Sequence, residues 1–390
     1  MTAVTGEAQV QDFVRAARAD GAPFEIVAGG TRRAVGRPMA RDDGEKLPLL
    51  DVSGLSGILK YEPEELVVTV APATPLAELR AVLAERNQCL GFDPADWSAV
   101  LGSNGAATLG GAMSADAFGP GRLRHGAARD SLLGFRGVNG MGESFRAGSK
   151  VVKNVTGFDV PKLVCGAFGT LCVLTELTFR VYPRASHAIT LCLADMTPEA
   201  GFAALRKIAR SALEPAGLFY FPGTSLAAGI GLGEIGLGAA VIRLEGAEAP
   251  LAQKVEIAHG LIGQTQAIAD GDGLLDTVRS GALFAGSDLD VWRMSLPPSE
   301  APHVAAALAP GVWLGDLAGG LLWIGAKAAE AARIREVAAA HDGHAMLLRA
   351  SPEARAALGI FAPQPPALAA MARNVKAAFD PLGLFNPGRL

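Results

Sequence analysis

Apolar positions recur every three or four residues over 8–19, where Val10, Phe13, Val14 and Ala17 share one face, and predict a short amphipathic helix. A strand at Phe24–Ala28 follows and runs into the loop Gly29-Gly30-Thr31-Arg32-Arg33-Ala34-Val35-Gly36. Leu66–Ala71 reads as a buried strand. Thr74-Pro75 then reads as a helix start, with Thr as N-cap and Pro at the first helical position. Leu76, Leu79, Val82 and Leu83 form that helix's apolar stripe. Further strands are predicted at Leu132–Val138, Ser144–Arg146 and Leu171–Val181. The last alternates cleanly, with Val173, Thr175, Leu177, Phe179 and Val181 on one face and Pro183 as the stop.

Beyond Pro183 strands alternate with helices. Thr197-Pro198 opens a helix that buries Phe202, Leu205 and Ile208. Val291–Arg349 reads as strand, helix, strand, strand, helix, strand, with strands near Val291–Leu296, Val312–Asp316, Leu321–Gly325 and Ala345–Arg349. That order is ferredoxin-like, an antiparallel sheet with helices on one face. Strands at Leu218–Phe221 and Ala239–Leu244 and a helix at Leu251–Ile262 point to related units before it. A last helix, Leu368–Phe379, leads into a tail whose Leu382, Leu384 and Phe385 predict that it docks.

Composition narrows the classes. With 390 residues, 50% hydrophobic and 19% charged, the chain is globular and long enough for two or three cores. A net charge of −4 without a Lys/Arg block speaks against nucleic acid or an anionic membrane patch as partner. Cys89, Cys165, Cys172 and Cys192 form no Cys-x-x-Cys pair, so neither an iron–sulfur cluster nor a zinc site is expected. We read Cys165 and Cys172 as buried hydrophobes. No signal peptide is evident at Met1–Asp20, and no apolar run reaches the ~20 residues of a membrane span; Leu314–Ala332 comes nearest but holds Asp316, Lys327 and Gly319-Gly320. The expected location is the cytoplasm, with any contact with the inner membrane made through partners.

The candidate chemistry lies in glycine. The run Thr108-Leu-Gly-Gly-Ala-Met-Ser-Ala-Asp-Ala-Phe-Gly-Pro-Gly121 is poor in charge and rich in small residues. Such backbone approaches a flat or anionic ligand closely, and successive amides in a turn bind phosphate oxygens. The strand-then-loop Phe24–Gly36 is a second possible phosphate cradle; Arg32 and Arg33 could neutralise the phosphate there, with one of them read as an exposed or salt-bridged side chain. No Gly-x4-Gly-Lys-Ser/Thr occurs, which excludes a P-loop hydrolase. His341-Asp-Gly-His344 resembles a His pair but sits at a helix end, where the dipole favours His and Gly343 can cap, so we read it as structural. His125 reads as a solvated loop residue. Trp292, Trp313 and Trp323 read as core.

Four separated segments carry a resemblance: Gly29-Gly30-Thr31…Gly36; Thr108-Leu-Gly-Gly111 with Gly119-Pro-Gly121 and His125-Gly-Ala-Ala-Arg-Asp130; Lys153-Asn154…Gly157-Phe-Asp159…Gly169-Thr-Leu…Leu174-Thr-Glu176; and Phe385-Asn-Pro-Gly-Arg389. In this order they resemble the vanillyl-alcohol oxidase / p-cresol methylhydroxylase (PCMH) type flavoproteins, and within them the E-type subunits of bacterial glycolate oxidases (glycolate dehydrogenases). The resemblance implies an α+β fold. Residues 1–184 would form a two-subdomain PCMH-type FAD-binding domain and residues 185–350 a ferredoxin-like α+β cap. Residues 351–390 would return to the FAD-binding domain.

It also implies FAD as cofactor. Gly29, Gly30, Thr31, Arg32 and Gly36 would hold the pyrophosphate. Thr108, Gly110, Gly111 and Ser114 would line its other side, with Gly119 in the same run. Arg129 and Asp130 would fix that loop by an ion pair. Gly157, Asp159 and Gly169 would border the adenine end, with Val173 touching the adenosine, and Asn386 would sit at the flavin edge. Phe168 and Cys172 depart from the family's pattern and add bulk beside the cofactor channel. No His occupies the Gly29–Gly36 loop, so FAD is expected to be non-covalent. The implied partners are a larger flavin-binding D-type subunit and an iron–sulfur F-type subunit, and the implied reaction is oxidation of glycolate to glyoxylate. Two alternatives stay open: an interaction subunit with a vestigial FAD site, and a free-standing FAD-dependent 2-hydroxy-acid dehydrogenase. No catalytic residue is assigned.

Overall fold

A computed structural model describes residues 3–39, 46–148, 159–223 and 235–389. After the helix Glu7–Ala19, strands β1 (Glu25–Val27) and β2 (Leu49–Asp51) pair in parallel. Strands β3 (Ile58–Glu62), β4 (Val67–Val70), β5 (Gln88–Leu90), β6 (Leu132–Val138), β7 (Ser144–Gly148) and β8 (Val173–Pro183) form an antiparallel sheet of order β3-β4-β8-β6-β7, with β5 also on β8. Strand β8 buries Val173, Thr175, Leu177, Phe179 and Val181, the alternating face expected of it. The β1–β2 pair packs with the first helix around Val10, Val14, Phe24 and Leu50. The tail completes this core: Phe24 bridges Phe385, and Leu384 and Phe385 are buried, whereas Leu382 is exposed.

The remaining strands are β9 (His187–Ala194), β10 (Gly217–Pro222), β11 (Gly238–Gly246), β12 (Gln266–Ala267), β13 (Asp290–Ser295), β14 (Val312–Asp316), β15 (Leu321–Ala326) and β16 (His344–Arg349). They form one antiparallel sheet of order β12-β9-β11-β10-β14-β15-β13-β16. It consists of two ferredoxin-like units. Each runs strand, helix, strand, strand, helix, strand, and the units join where β10 meets β14 at Tyr220 and Gly315. The helices Pro198–Ala209, Glu248–Ile262, Ala301–Leu308 and Ala331–Ala340 cover one face, through Phe202, Leu205, Ile208, Leu251, Val304 and Ile334. The other face, with Phe219, Val291, Leu314, Trp323 and Leu348, packs on Leu79, Trp97, Leu109 and Met113 of the first part of the chain. The fold is α+β, as expected.

Two helix ends differ from expectation. The second helix starts at Leu76 with Pro75 as its cap. The Thr74 hydroxyl is engaged instead by the Ala71 carbonyl at 2.6 Å and the Gly57 amide at 3.0 Å, which ties the turn to the end of β4. At the other end, the left-handed residue after the Ala331–Ala340 helix is Asp342 (φ 53), not Gly343. Trp292, Trp313 and Trp323 are buried, as read from the sequence.

Candidate functional site

The loop after β1 is held by its carbonyls. The Thr31 carbonyl accepts from Ser103 Oγ at 2.8 Å, Arg32 from Arg389 Nη2 at 2.7 Å, Arg33 from Arg389 Nη1 at 3.4 Å, and Gly36 from Arg355 Nη1 at 2.9 Å. The amides of Gly29, Gly30, Thr31 and Arg32, by contrast, have no acceptor among the described residues. Backbone amides left unpaired in a folded chain need a partner from outside it. Gly30 reaches this arrangement through a positive φ of 70°, and a Cβ on Gly29 would collide with the Ala106 carbonyl oxygen. All four residues line an open cleft, and amides of successive residues in such a turn can bind an anion.

Arg32 adds charge to that row. Its side chain is 9% exposed and lines the cleft; Nη2 donates to the Ala95 carbonyl, and Nε has no partner among the described residues. Burial pushes its pKa down to about 10, so it stays a cation at neutral pH. Arg33 is taken up by Glu25 at 2.9 and 2.5 Å. The cleft lining thus holds four amides and an Arg32 Nε without partners among the described residues, a donor set suited to an anion.

Thr108, Gly110, Gly111 and Ser114 form another part of the cleft wall. The amides at the start of their short helix are already used: Gly110 N–H donates to Pro72 at 2.8 Å and Gly111 N–H to Thr108 Oγ1 at 3.2 Å. This wall supplies room rather than donors. A Cβ on Gly111 would stand 3.3 Å from Arg32 Nη1. Gly169, Phe168 and Cys172 close one end, where burial pushes the Cys172 thiol up to about 12 and keeps it protonated. Asn386 lines the cleft as a brace. Its Oδ1 accepts from Ile26 N–H at 2.8 Å, and its Nδ2 donates to the Phe168 carbonyl at 2.9 Å.

Several residues named from the sequence stand elsewhere. Gly36 is packed against Ile360 and the Arg389 carbonyl, and Gly119 against Asp93 and Arg279. Arg129 and Asp130 are exposed, with 3.9 Å between them, and Asp130 instead accepts from the Ala127 amide at 2.8 Å. That ion pair does not fix the loop, because exposed pairs at this separation contribute little. Asp159 is exposed and pairs with Lys162 at 2.8 Å. Val173 is buried with its carbonyl against Gly137; its neighbour Leu174 lines the cleft. Lys153, Asn154 and Gly157 lie outside the described residues. His125 is not a solvated loop residue. It ends the short helix Arg122–His125 and is half-buried, and that burial lowers its pKa. His341 Nδ1 lies 2.8 Å from Glu300 and His344 is exposed at the start of β16; neither lines the cleft.

Two roles escaped the sequence reading, one of them that of Arg389, which was quoted only as the end of the tail motif. Arg389 ties down the loop from more than 350 residues away, a contact that no local pattern carries. Trp97 stacks near Arg32, with the Arg32 Cζ 5.8 Å from its ring centroid. Here a signal existed: a lone Trp beside the glycine-rich run, on a segment otherwise rich in Asp and Pro.

A cradle of free amides, a buried cation with an unpaired donor and a wall stripped of side chains fit a dianionic diphosphate such as that of FAD. Comparison with known proteins agrees. A family model described as an FAD binding domain matches residues 2–148. The fold is that of p-cresol methylhydroxylase, solved with substrate bound (TM-score 0.72, 15% identity, 100% of this chain and 88% of that one). Alkyldihydroxyacetonephosphate synthase superposes similarly (TM-score 0.72, 14% identity, 99% of this chain and 75% of that one). The FAD binding domain match, on a fold shared with p-cresol methylhydroxylase, thus defines an FAD-binding flavoprotein. The glycolate oxidase subunit GlcE of Escherichia coli (strain K12) is 32% identical over 381 residues, 97% of this chain and 95% of its own length. The glycolate oxidase subunit GlcD of Bacillus subtilis (strain 168) is 31% identical over 137 residues, 35% of this chain and 28% of that protein. The chain belongs to the FAD-linked family that includes GlcE.

Proposed function

We propose that this chain is the FAD-binding subunit of a glycolate oxidase (glycolate dehydrogenase) complex. It helps oxidise glycolate, a small 2-hydroxy acid, to glyoxylate. Electrons leave for an iron–sulfur F-type subunit, beside a larger flavin-binding D-type subunit. The observation that carries this reading is near-full-length similarity to GlcE combined with the donor set of the Gly29–Arg32 loop. In this proposal residues 1–184 are the FAD-binding domain, residues 185–350 the cap, and residues 351–390 the returning segment.

Each side chain then has a definite task. The Gly29, Gly30, Thr31 and Arg32 amides and the Arg32 guanidinium hold the diphosphate. Arg389 and Ser103 pull the loop carbonyls away so that the amides face it. Gly110 and Gly111 leave the space, and Asn386 fixes the tail against the cleft edge. With no His in the loop to form a bond, the cofactor is held non-covalently. When bound, FAD supplies two-electron acceptance, which no side chain of this chain can.

Dependence on partners is favoured by the histidines. His341 and His344, the only pair resembling an acid–base set, do not line the cleft, so turnover draws on the assembled complex. Among the described residues no helix is long and apolar enough to cross a membrane; we assign the chain to the cytoplasm, peripheral to the inner membrane through its partners.

The test is the absorption spectrum of the purified chain, before and after anaerobic glycolate. A flavin band near ~450 nm, released on denaturation, is expected. It should persist with glycolate when the chain is alone and bleach when the partner subunits are added. A folded chain that binds no flavin, even with FAD added, would overturn the proposal.

A further inference from the structure

Arg32 does not face the cleft unaided. The Trp97 ring that it stacks near has a second guanidinium beside it, Arg293 of β13, whose Cζ lies 4.9 Å from the same centroid. Arg293 is boxed by two more rings, Phe118 at 4.3 Å and Trp323 at 4.9 Å. Trp97 and Phe118 come from the first part of the chain, and Arg293 and Trp323 from the eight-stranded sheet.

Arg293 is 5% exposed, and its Nε and Nη2 have no partner among the described residues. It makes no ion pair there either; Asp316, buried on the same sheet face, pulls on it only through space. Stripped of water and with no carboxylate in hydrogen-bond contact, the guanidinium is held by ring faces and by the through-space pull of Asp316 and Asp116. A methionine of similar length would fill the same space at lower cost, so packing does not account for a cation at this position.

We infer that Arg293 is a positioning residue of the cofactor cleft: stacked on Trp97, it fixes the indole that in turn aims the Arg32 guanidinium at the Gly29–Arg32 cradle. Cofactor affinity is thereby coupled to the seating of the eight-stranded sheet on the FAD-binding part. The inference rests on the reading that Arg32 meets the FAD diphosphate. It predicts that Arg293 acts through Arg32 and not beside it.

The experiment is FAD titration of the apo chain, followed by quenching of flavin fluorescence, with near-ultraviolet circular dichroism as a check on folding. Arg32→Met should weaken FAD about thirtyfold, the size of a lost charge-assisted contact. Arg293→Met and Trp97→Leu should each weaken it about tenfold, in line with a desolvated cation–π contact, and Arg293→Lys should recover most of that. The double variant Arg32→Met/Arg293→Met should bind no worse than Arg32→Met alone. If Arg293→Met does not fold, Arg293→Lys and Trp97→Phe carry the test, with about threefold losses that vanish in the Arg32→Met background. Losses that add, or folded Arg293 variants with unchanged affinity, would overturn the inference alone. An Arg32→Met protein that still binds FAD as tightly would overturn the diphosphate reading and the inference with it.

Discussion

Among the described residues two clefts contrast, and the larger of the two is not the one proposed to hold the cofactor. The second lies between the FAD-binding part and the eight-stranded sheet and encloses about 730 Å³, against about 140 Å³ for the cleft at Gly29–Arg32. It is rich in charge, yet its carboxylates are already engaged. Asp93 holds Arg279 at 2.7 Å and the Gly121 amide at 3.1 Å, Asp276 also holds Arg279, and Asp272 holds Arg243. Glu245 stands 3.7 Å from Arg124, and Asp270 caps the Gly271–Ser280 helix. In the smaller cleft four amides and Arg32 Nε have no partner among the described residues, whereas in the larger one Arg243 Nε, also without a hydrogen bond, stands 3.6 Å from the Glu245 carboxylate. Unspent hydrogen-bonding capacity, and not volume, separates a site that awaits a ligand from a joint that holds two layers together.

That contrast is open to a direct test. Gly29→Val places a side chain against the Ala106 carbonyl and should abolish FAD binding, a loss of at least about 100-fold, because backbone cannot yield as a flexible side chain can. Flavin content after reconstitution measures it, and a yellow, stoichiometric variant would show that the cradle is elsewhere. Arg279→Ala strikes the other cleft. It strands Asp93 in a joint where the two side chains are only 17% and 11% exposed, and should cost roughly 3–5 kcal/mol of stability. Chemical denaturation reads the loss, while the folded fraction should still bind FAD with unchanged affinity. If Arg279→Ala selectively emptied the flavin site, the division between ligand site and joint would fail.

The sequence made part of this legible. Strand β8 could be read because its alternation is strict, and β13–β16 with their helices because each is long and apolar. The matching unit before them was only half seen. Strand β9 begins with exposed His187 and Ala188, and β12 has two residues, too short for any period to show. At the site, the Gly29–Arg32 loop was visible because a strand running into glycines is a local signal. Gly36 and Gly119 show the limit of that logic. Both are glycines because Ile360 with Arg389, and Asp93 with Arg279, press on them from far along the chain. The role of Arg389, quoted only within the tail motif, and Arg293 altogether escaped for the same reason: their meaning lies in what tertiary packing sets beside them.

Asp316 sharpens the comparison from a third position, the sheet face near Arg293. Burial pushes its carboxyl up to about 7, against the lowering pull of the Leu317 amide and Arg293. Below the ordinary carboxylate range both folded and unfolded chains hold the proton. As pH rises from about 4 to 7 the unfolded chain releases it first, so this group's contribution falls and then levels off above 7. At ~1.4 kcal/mol per pH unit the total is on the order of a few kcal/mol. Asp316→Asn keeps an acceptor for the Leu317 amide and should flatten that part of the stability–pH curve, raising stability at pH 8. An unchanged slope in denaturation curves between pH 5 and 8 would mean that Asp316 is ionised in the fold.

The smallest effect is expected at the His pair. His341 touches Glu300 at the protein surface, and its hydrogen bond is what holds the Glu300 carboxylate below its usual range. Such a contact is screened by water and salt and fixes nothing near the flavin cleft. His341→Ala and His344→Ala should therefore leave FAD affinity unchanged, and should leave kcat of the reconstituted complex within about twofold, less than the ~10²-fold or more that removal of a general base costs. Steady-state kinetics on the complex decides it. A hundredfold fall in kcat with intact flavin would bring the cap's histidines into the chemistry, and would mean that the cleft found by counting unpaired donors holds the cofactor but not the whole reaction site.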